Sequence, residues 1–121
     1  MAVNPQFPLF VYEKYDCLMH LIETAEHVLY HLESIDIEND EYLFWDSTGT
    51  GARVSVVRGK VADITLCDQQ MSLREAFQKY AEANGLRVAV GKSPIDTWRD
   101  CQLHLPPKKT FWQRLFRKSK S

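Results

Sequence analysis

Residues 41–66 read EYLFWDSTGTGARVSVVRGKVADITL, and this stretch decides the fold. Glu41-Tyr42-Leu43-Phe44-Trp45 is bulky, aromatic and β-prone. Ser47-Thr48-Gly49-Thr50-Gly51 is turn chemistry, because glycine reaches the positive φ angles that tight turns use. Ala52-Arg53-Val54-Ser55-Val56 alternates, with the small apolar set on one side. Arg58-Gly59 marks a second turn, and Val61 to Leu66 alternates again, with Ala62, Ile64 and Leu66 together. Short alternating runs between turn signals predict an antiparallel meander.

Outward from the meander, Leu9-Phe10-Val11-Tyr12-Glu13 predicts a first strand after Pro8. Asp16 is placed to cap a helix. From Cys17 to Glu33 the residues Cys17, Leu18, Leu21, Ile22, Ala25, Val28, Leu29 and Leu32 fill one arc at 3.6-residue spacing, with no proline or glycine between them. This predicts a long helix with a buried face. After the meander, Ser72-Leu73-Arg74-Glu75 is a capping box opening a second helix, which Asn84-Gly85 stops. Leu86 to Val90 is a last strand candidate. Residues 91–107 carry mixed signals, and Trp98 and Leu103 are expected to pack back on the domain. The predicted class is α+β: a mostly antiparallel sheet of four to five strands, two main helices on one face, in the order β-α-β-β-β-α-β.

The 121 residues suit one domain, with residues 1–107 as its body and 108–121 as a basic tail. The start, Met1-Ala2-Val3-Asn4-Pro5, lacks the basic and apolar regions of a secretory signal, and no run approaches a membrane span. Cys17, Cys67 and Cys101 are odd in number and lack Cys-x-x-Cys spacing, so they read as reduced thiols acting as small hydrophobes. A cytoplasmic protein is expected, peripheral to a membrane if the tail binds one. The body holds nine Lys and Arg against sixteen Asp and Glu, a net −7, whereas Lys108, Lys109, Arg114, Arg117, Lys118 and Lys120 give the tail +6. An acidic body repels phosphate, which argues against nucleic acid as a partner.

Three constellations invite chemistry. On the expected long helix, His20, His27 and His31 share one side, opposite the apolar arc. His27 and His31, four apart, suit a transition metal or a pH-dependent contact; a plain polar helix face reads as well. The HExxH metalloprotease pattern is absent, because residue 28 is Val. Asp36, Glu38, Asp40 and Glu41 begin like a calcium loop, but the glycine position is Glu41 and the twelfth is Ser47. A solvated loop, or a negative surface that docks a basic protein partner, fits better. Asp46-Ser47-Thr48-Gly49 has one residue too many for an aspartic-protease motif and no second copy, so a hairpin turn is expected. No complete catalytic set or cofactor motif is legible, and a non-enzymatic protein without a cofactor is expected. In the tail, Phe111, Trp112, Leu115 and Phe116 fall on one face of a helix with Arg114, Arg117 and Lys118 around it. That composition suits an anionic membrane surface, a protein partner, or docking on the chain's own core.

The string Leu32-Glu33-x-x-Asp36-Ile37-Glu38-Asn39-x-Glu41-Tyr42-x-x-x-Asp46-x-x-Gly49 resembles a pattern in small uncharacterised bacterial proteins, some of which look like immunity proteins that neutralise the toxins of competing cells. It covers about 18 residues. Asp40 stands where the pattern has glycine, and Thr50-Gly51 lengthens its turn. The resemblance implies a helix leading through the acidic segment into a strand and an Asp-x-x-Gly turn. It also implies a non-catalytic, cytosolic bacterial protein that offers an acidic surface to a partner.

Overall fold

The computed structural model describes residues 4–88 and 91–104. Strand β1 is Leu9–Glu13, β2 Leu18–Ile22, β3 Tyr42–Trp45, β4 Gly51–Val57 and β5 Lys60–Leu66. Between β2 and β3 lie a 3-10 turn, Ala25–His27, and two short helices, α1 Val28–His31 and α2 Ser34–Glu38. Helices α3, Leu73–Ala83, and α4, Pro94–His104, follow the sheet. The strands form one sheet in the order β2-β1-β3-β4-β5, and every neighbouring pair is antiparallel. The protein is α+β, with the meander β3-β4-β5 where its alternation placed it.

The meander's turns explain its register. Arg58 and Gly59 both take positive φ, 53° and 75°, so their two-residue turn twists with the strands it joins. The register shifts at Ser55/Val56. Gly51 is required for a different reason: a Cβ there would collide with the carbonyl oxygen of Cys67 and lie 2.9 Å from the Gln69 Cβ.

The helix expected over 17–33 is absent. Leu18-Met19-His20-Leu21-Ile22 is an edge strand instead, joined to β1 by a turn in which Cys17 has φ 52°. Both faces of this part of the sheet are covered, so the strand needs apolar residues on both sides. Such a continuous run also satisfies a helical arc. Exposed Glu23, Thr24, Ala25 and Glu26 then separate it from the short helices.

Each face of the sheet has its own core. On one, Leu9, Val11, Ile22, Tyr42, Phe44, Ala52 and Val54 pack with Val28, Leu32 and Ile37 of the crossover from β2 to β3. On the other, Phe10, Tyr12, Met19, Leu43 and Trp45 pack with Leu73, Ala76, Phe77 and Tyr80 of α3 and Cys101 of α4. Phe10 and Phe77 meet edge to face at 5.6 Å, and the Trp45 indole donates to the Met71 carbonyl at 3.2 Å. Burying each such side chain stabilises the fold by about 1.5–3 kcal/mol.

Two main helices therefore share one face as expected, but the second is α4, formed from the residues of mixed signal. Ser72 caps α3, its hydroxyl accepting from the Glu75 amide at 3.1 Å, and Gly85, at φ 70°, ends it. Residues 86–88 form no strand, and the rest of that candidate, 89–90, lies outside the described residues. Pro94 opens α4, where its missing N–H leaves nothing unpaired, and the Ser93 hydroxyl accepts from the Asp96 amide at 3.3 Å. Trp98 packs on the α3 side of the core, but Leu103 is exposed.

Candidate functional site

The end of the sheet where β1 finishes and β3 begins gathers the acidic residues. The Glu41 carbonyl accepts from the Lys14 amide at 3.0 Å, which ties the β1–β2 turn to the loop after α2. The Glu41 amide donates to the Asp36 carbonyl at 3.0 Å. Asp40 sits at φ 58°, the left-handed conformation that glycine adopts most easily and that Asp and Asn tolerate better than other side chains. Its carboxylate meets the Lys14 ammonium at 3.3 Å. The Tyr42 hydroxyl donates to Asp36 at 3.4 Å, and Glu13 lies opposite Tyr42 across the β1–β3 ladder.

Thus Asp36, Asp40 and Glu41 come together and Glu13 joins them. Glu38 is exposed on α2, and its side chain makes no hydrogen bond or ion pair among the described residues. Desolvation, then the hydrogen bond to Asp36 and the charges of Asp36 and Glu13, raise the Glu41 carboxyl above its ordinary range. Burial first, then the charges of Glu13 and Asp36, push the Tyr42 phenol up. Burial is the first cause of both shifts, and the neighbouring carboxylates Asp36 and Glu13 add to each.

Beside this cluster is a polar recess of about 220 Å3, lined by Asp40, Tyr42, Arg53, Asp68 and Gln69. It opens where β3 and β4 part after only two paired positions, Phe44–Ala52 and Trp45–Gly51. The Gln69 amide bridges the gap, donating to the carbonyls of Phe44 at 3.2 Å and Ala52 at 2.9 Å.

The histidine stripe does not form. His20 is buried in β2 with its Nε2 2.8 Å from Glu13 Oε2, so it belongs to the fold's interior. His27 ends the 3-10 turn, where its ring packs against Tyr30 at 5.3 Å, and His31 ends α1. No group of three or more His, Cys, Asp or Glu among the described residues is placed to share a metal ion. The three-histidine helix face is lost because residues 18–22 are strand, which takes His20 away from His27 and His31.

Asp46 is a structural keystone of the β3–β4 turn. It is 2% exposed. One oxygen accepts from the Thr48 amide at 3.0 Å, the Thr48 hydroxyl at 2.6 Å and the Thr50 amide at 3.2 Å; the other accepts from the Gln6 amide at 3.1 Å. Burial alone would raise this carboxyl, but the bonds from Thr48, Gln6 and Thr50 outweigh it and hold it below its ordinary range. The hairpin-turn reading of 46–49 stands, with the carboxylate as its organiser.

Cys17, Cys67 and Cys101 are all free thiols. Cys101 is a core residue whose thiol is pushed up by burial and then by the Asp100 charge. Cys17 and Cys67 are half-buried. Phe111, Trp112, Arg114, Leu115, Phe116, Arg117 and Lys118 lie outside the described residues. Among the described residues, no helix is long and apolar enough to cross a membrane.

Glu13 and Lys14 were not legible as site residues, because they reach Asp36 and Glu41 through strand pairing rather than sequence proximity. No protein-family model, no curated protein and no solved structure matches this chain.

Proposed function

We propose that this chain is a non-enzymatic interaction module, adaptor-like or immunity-like, which docks a basic protein partner on the acidic end of its sheet. One observation carries this reading: the Glu41 amide bond to the Asp36 carbonyl, the Lys14 amide bond to the Glu41 carbonyl and the pairing of Glu13 with Tyr42 gather Asp36, Glu41 and Glu13 at one end of the sheet, with the Asp40–Lys14 ion pair beside them. Crowded like charge opposes folding, and concentrations of it that a fold does not need are a mark of function. A surface of this kind accelerates encounter with a basic partner by about 10–10³-fold at low salt. The resemblance of residues 32–49 to small bacterial proteins, some of them immunity-like, points the same way.

The test is capture from a lysate of the source cells, with three baits: the full chain, a chain ending at Pro107, and the full chain carrying Asp36→Lys, Asp40→Lys and Glu41→Lys. Circular dichroism checks that the third still folds. A specific basic protein retained by the first two, lost by the third and released by salt is the expected result. Retention undiminished by the charge reversal overturns the surface. Recovery that requires the tail moves the function to residues 108–121 instead. Glu38→Lys, outside the cluster, should weaken capture least.

A further inference from the structure

A second site lies on the opposite side of the sheet, between the first turns of α3 and α4. A cleft of about 240 Å3 opens there, just below the range of about 300–1,000 Å3 usual for small-molecule sites. Leu73 and Phe77 of α3 and Pro94 of α4 give it an apolar wall. Leu73 and Phe77 also belong to the core, 5% and 2% exposed, so the wall is as rigid as the core behind it. Val88 adds to the apolar lining, and Ser72, Arg74, Lys92 and Thr97 supply its polar side chains.

The donors are unequal. Arg74 lines the cleft, is exposed, and has no ion-pair partner among the described residues. Lys92 also lines it, with its ammonium 3.1 Å from Asp100 Oδ2. That ion pair leaves other donor directions open, since an ammonium has three hydrogens. Asp100 offsets one of the two positive charges. The Ser72 hydroxyl accepts from the Glu75 amide, so its own hydrogen remains to be donated. Thr97 adds no donor, because its hydroxyl is committed to the Ser93 carbonyl at 2.9 Å.

From an apolar wall, a guanidinium with no ion-pair partner among the described residues and an ammonium beside Asp100, we infer that the cleft between α3 and α4 binds a small amphiphilic carboxylate. Its apolar body lies on Leu73, Phe77 and Pro94, and its carboxylate meets Arg74. A guanidinium fork matches a carboxylate in two parallel hydrogen bonds, which makes Arg74 the main determinant and Lys92 the lesser one. The cleft's volume limits the ligand to a short chain or a single ring.

The test titrates octanoate, octanol and inorganic phosphate into the full chain and follows the amide resonances of Leu73, Phe77 and Thr97. Octanoate should give saturable shifts centred on these residues. Binding should weaken about tenfold in Arg74→Ala, with partial recovery in Arg74→Lys and a smaller loss in Lys92→Ala. Arg74 is exposed on α3, and an otherwise unchanged amide spectrum verifies each variant's fold. The inference is overturned if no saturable octanoate shift occurs, or if octanol titrates as well as octanoate. Phosphate saturating the same resonances, or an Arg74→Ala variant that binds unchanged, overturns it equally.

Discussion

The two ends of β3 carry the same chemical group in opposite circumstances. At one end Asp46 is almost fully enclosed, and four hydrogen bonds converge on its oxygens. At the other, Glu41 is packed beside Asp36 and Glu13, two more carboxylates. The first carboxyl is held below its ordinary range and the second above it. The difference separates a charge that builds the fold from a charge that the fold accommodates. Four residues of strand between them show that sequence distance has little to do with which role a carboxylate takes.

The largest expected effect is at Asp46. Asp46→Ala removes the acceptor for three backbone amides and the Thr48 hydroxyl, and should destabilise the protein by about 3 kcal/mol in urea unfolding. A loss within the range of an ordinary surface substitution, about 0.5 kcal/mol, would erase the distinction between the two ends. Gly51→Ala, at the entry to β4, should destabilise by about 2 kcal/mol, because the new methyl meets the Cys67 carbonyl. Thr48→Ala removes the hydroxyl's bond to Asp46 and its contact with the Thr50 hydroxyl, while the Thr48 amide bond remains, and should lose about 1 kcal/mol.

The pH dependence has opposite signs at the two ends. A depressed carboxyl stabilises the fold above its unfolded value, near about 3.9 for Asp, and that contribution disappears as pH falls through the folded value. A raised carboxyl does the reverse: the penalty at Glu41 is present at neutral pH and is relieved as pH falls through its folded value towards about 4.3. Below about pH 4, Asp46→Asn should therefore flatten the loss of stability that the unaltered chain shows. Glu41→Gln should instead remove the gain expected on mild acidification. Identical profiles for both variants would contradict the assignment. At neutral pH, Glu41→Gln should show the smallest effect, unchanged or slightly increased stability, since Glu41 is partly solvated and the repulsion is screened.

The same contrast marks what was legible in the sequence. Turn chemistry is local, so Arg58-Gly59, the Ser72 cap and the Asn84-Gly85 stop could be read directly. The β4–β5 hairpin has a solvated face, where Arg53, Ser55, Asp63 and Thr65 are exposed, so its strands were legible, but the shift at Ser55/Val56 puts Val61 on the core and leaves Ala62 exposed, against the face read from alternation. β2 has no such face. Leu18 and Ile22 are buried on one side and Met19 on the other, so its five residues were indistinguishable from a helix turn. That one misreading also placed His20 on a helix and built the histidine stripe. Asp36, Asp40 and Glu41 were legible as a group because they are contiguous. Glu13 and Lys14 were not, because the β1–β3 ladder brings them there. The cleft walled by Pro94 was hidden with α4, whose apolar side chains are too few to mark a face.

The most direct test of the central claim is the double variant Asp36→Asn, Glu41→Gln, measured for both stability and capture of the partner. If these carboxylates serve docking, the unfolding midpoint stays the same or rises while capture falls. If the midpoint drops and capture persists, they are parts of the fold, and the acidic end is no docking surface.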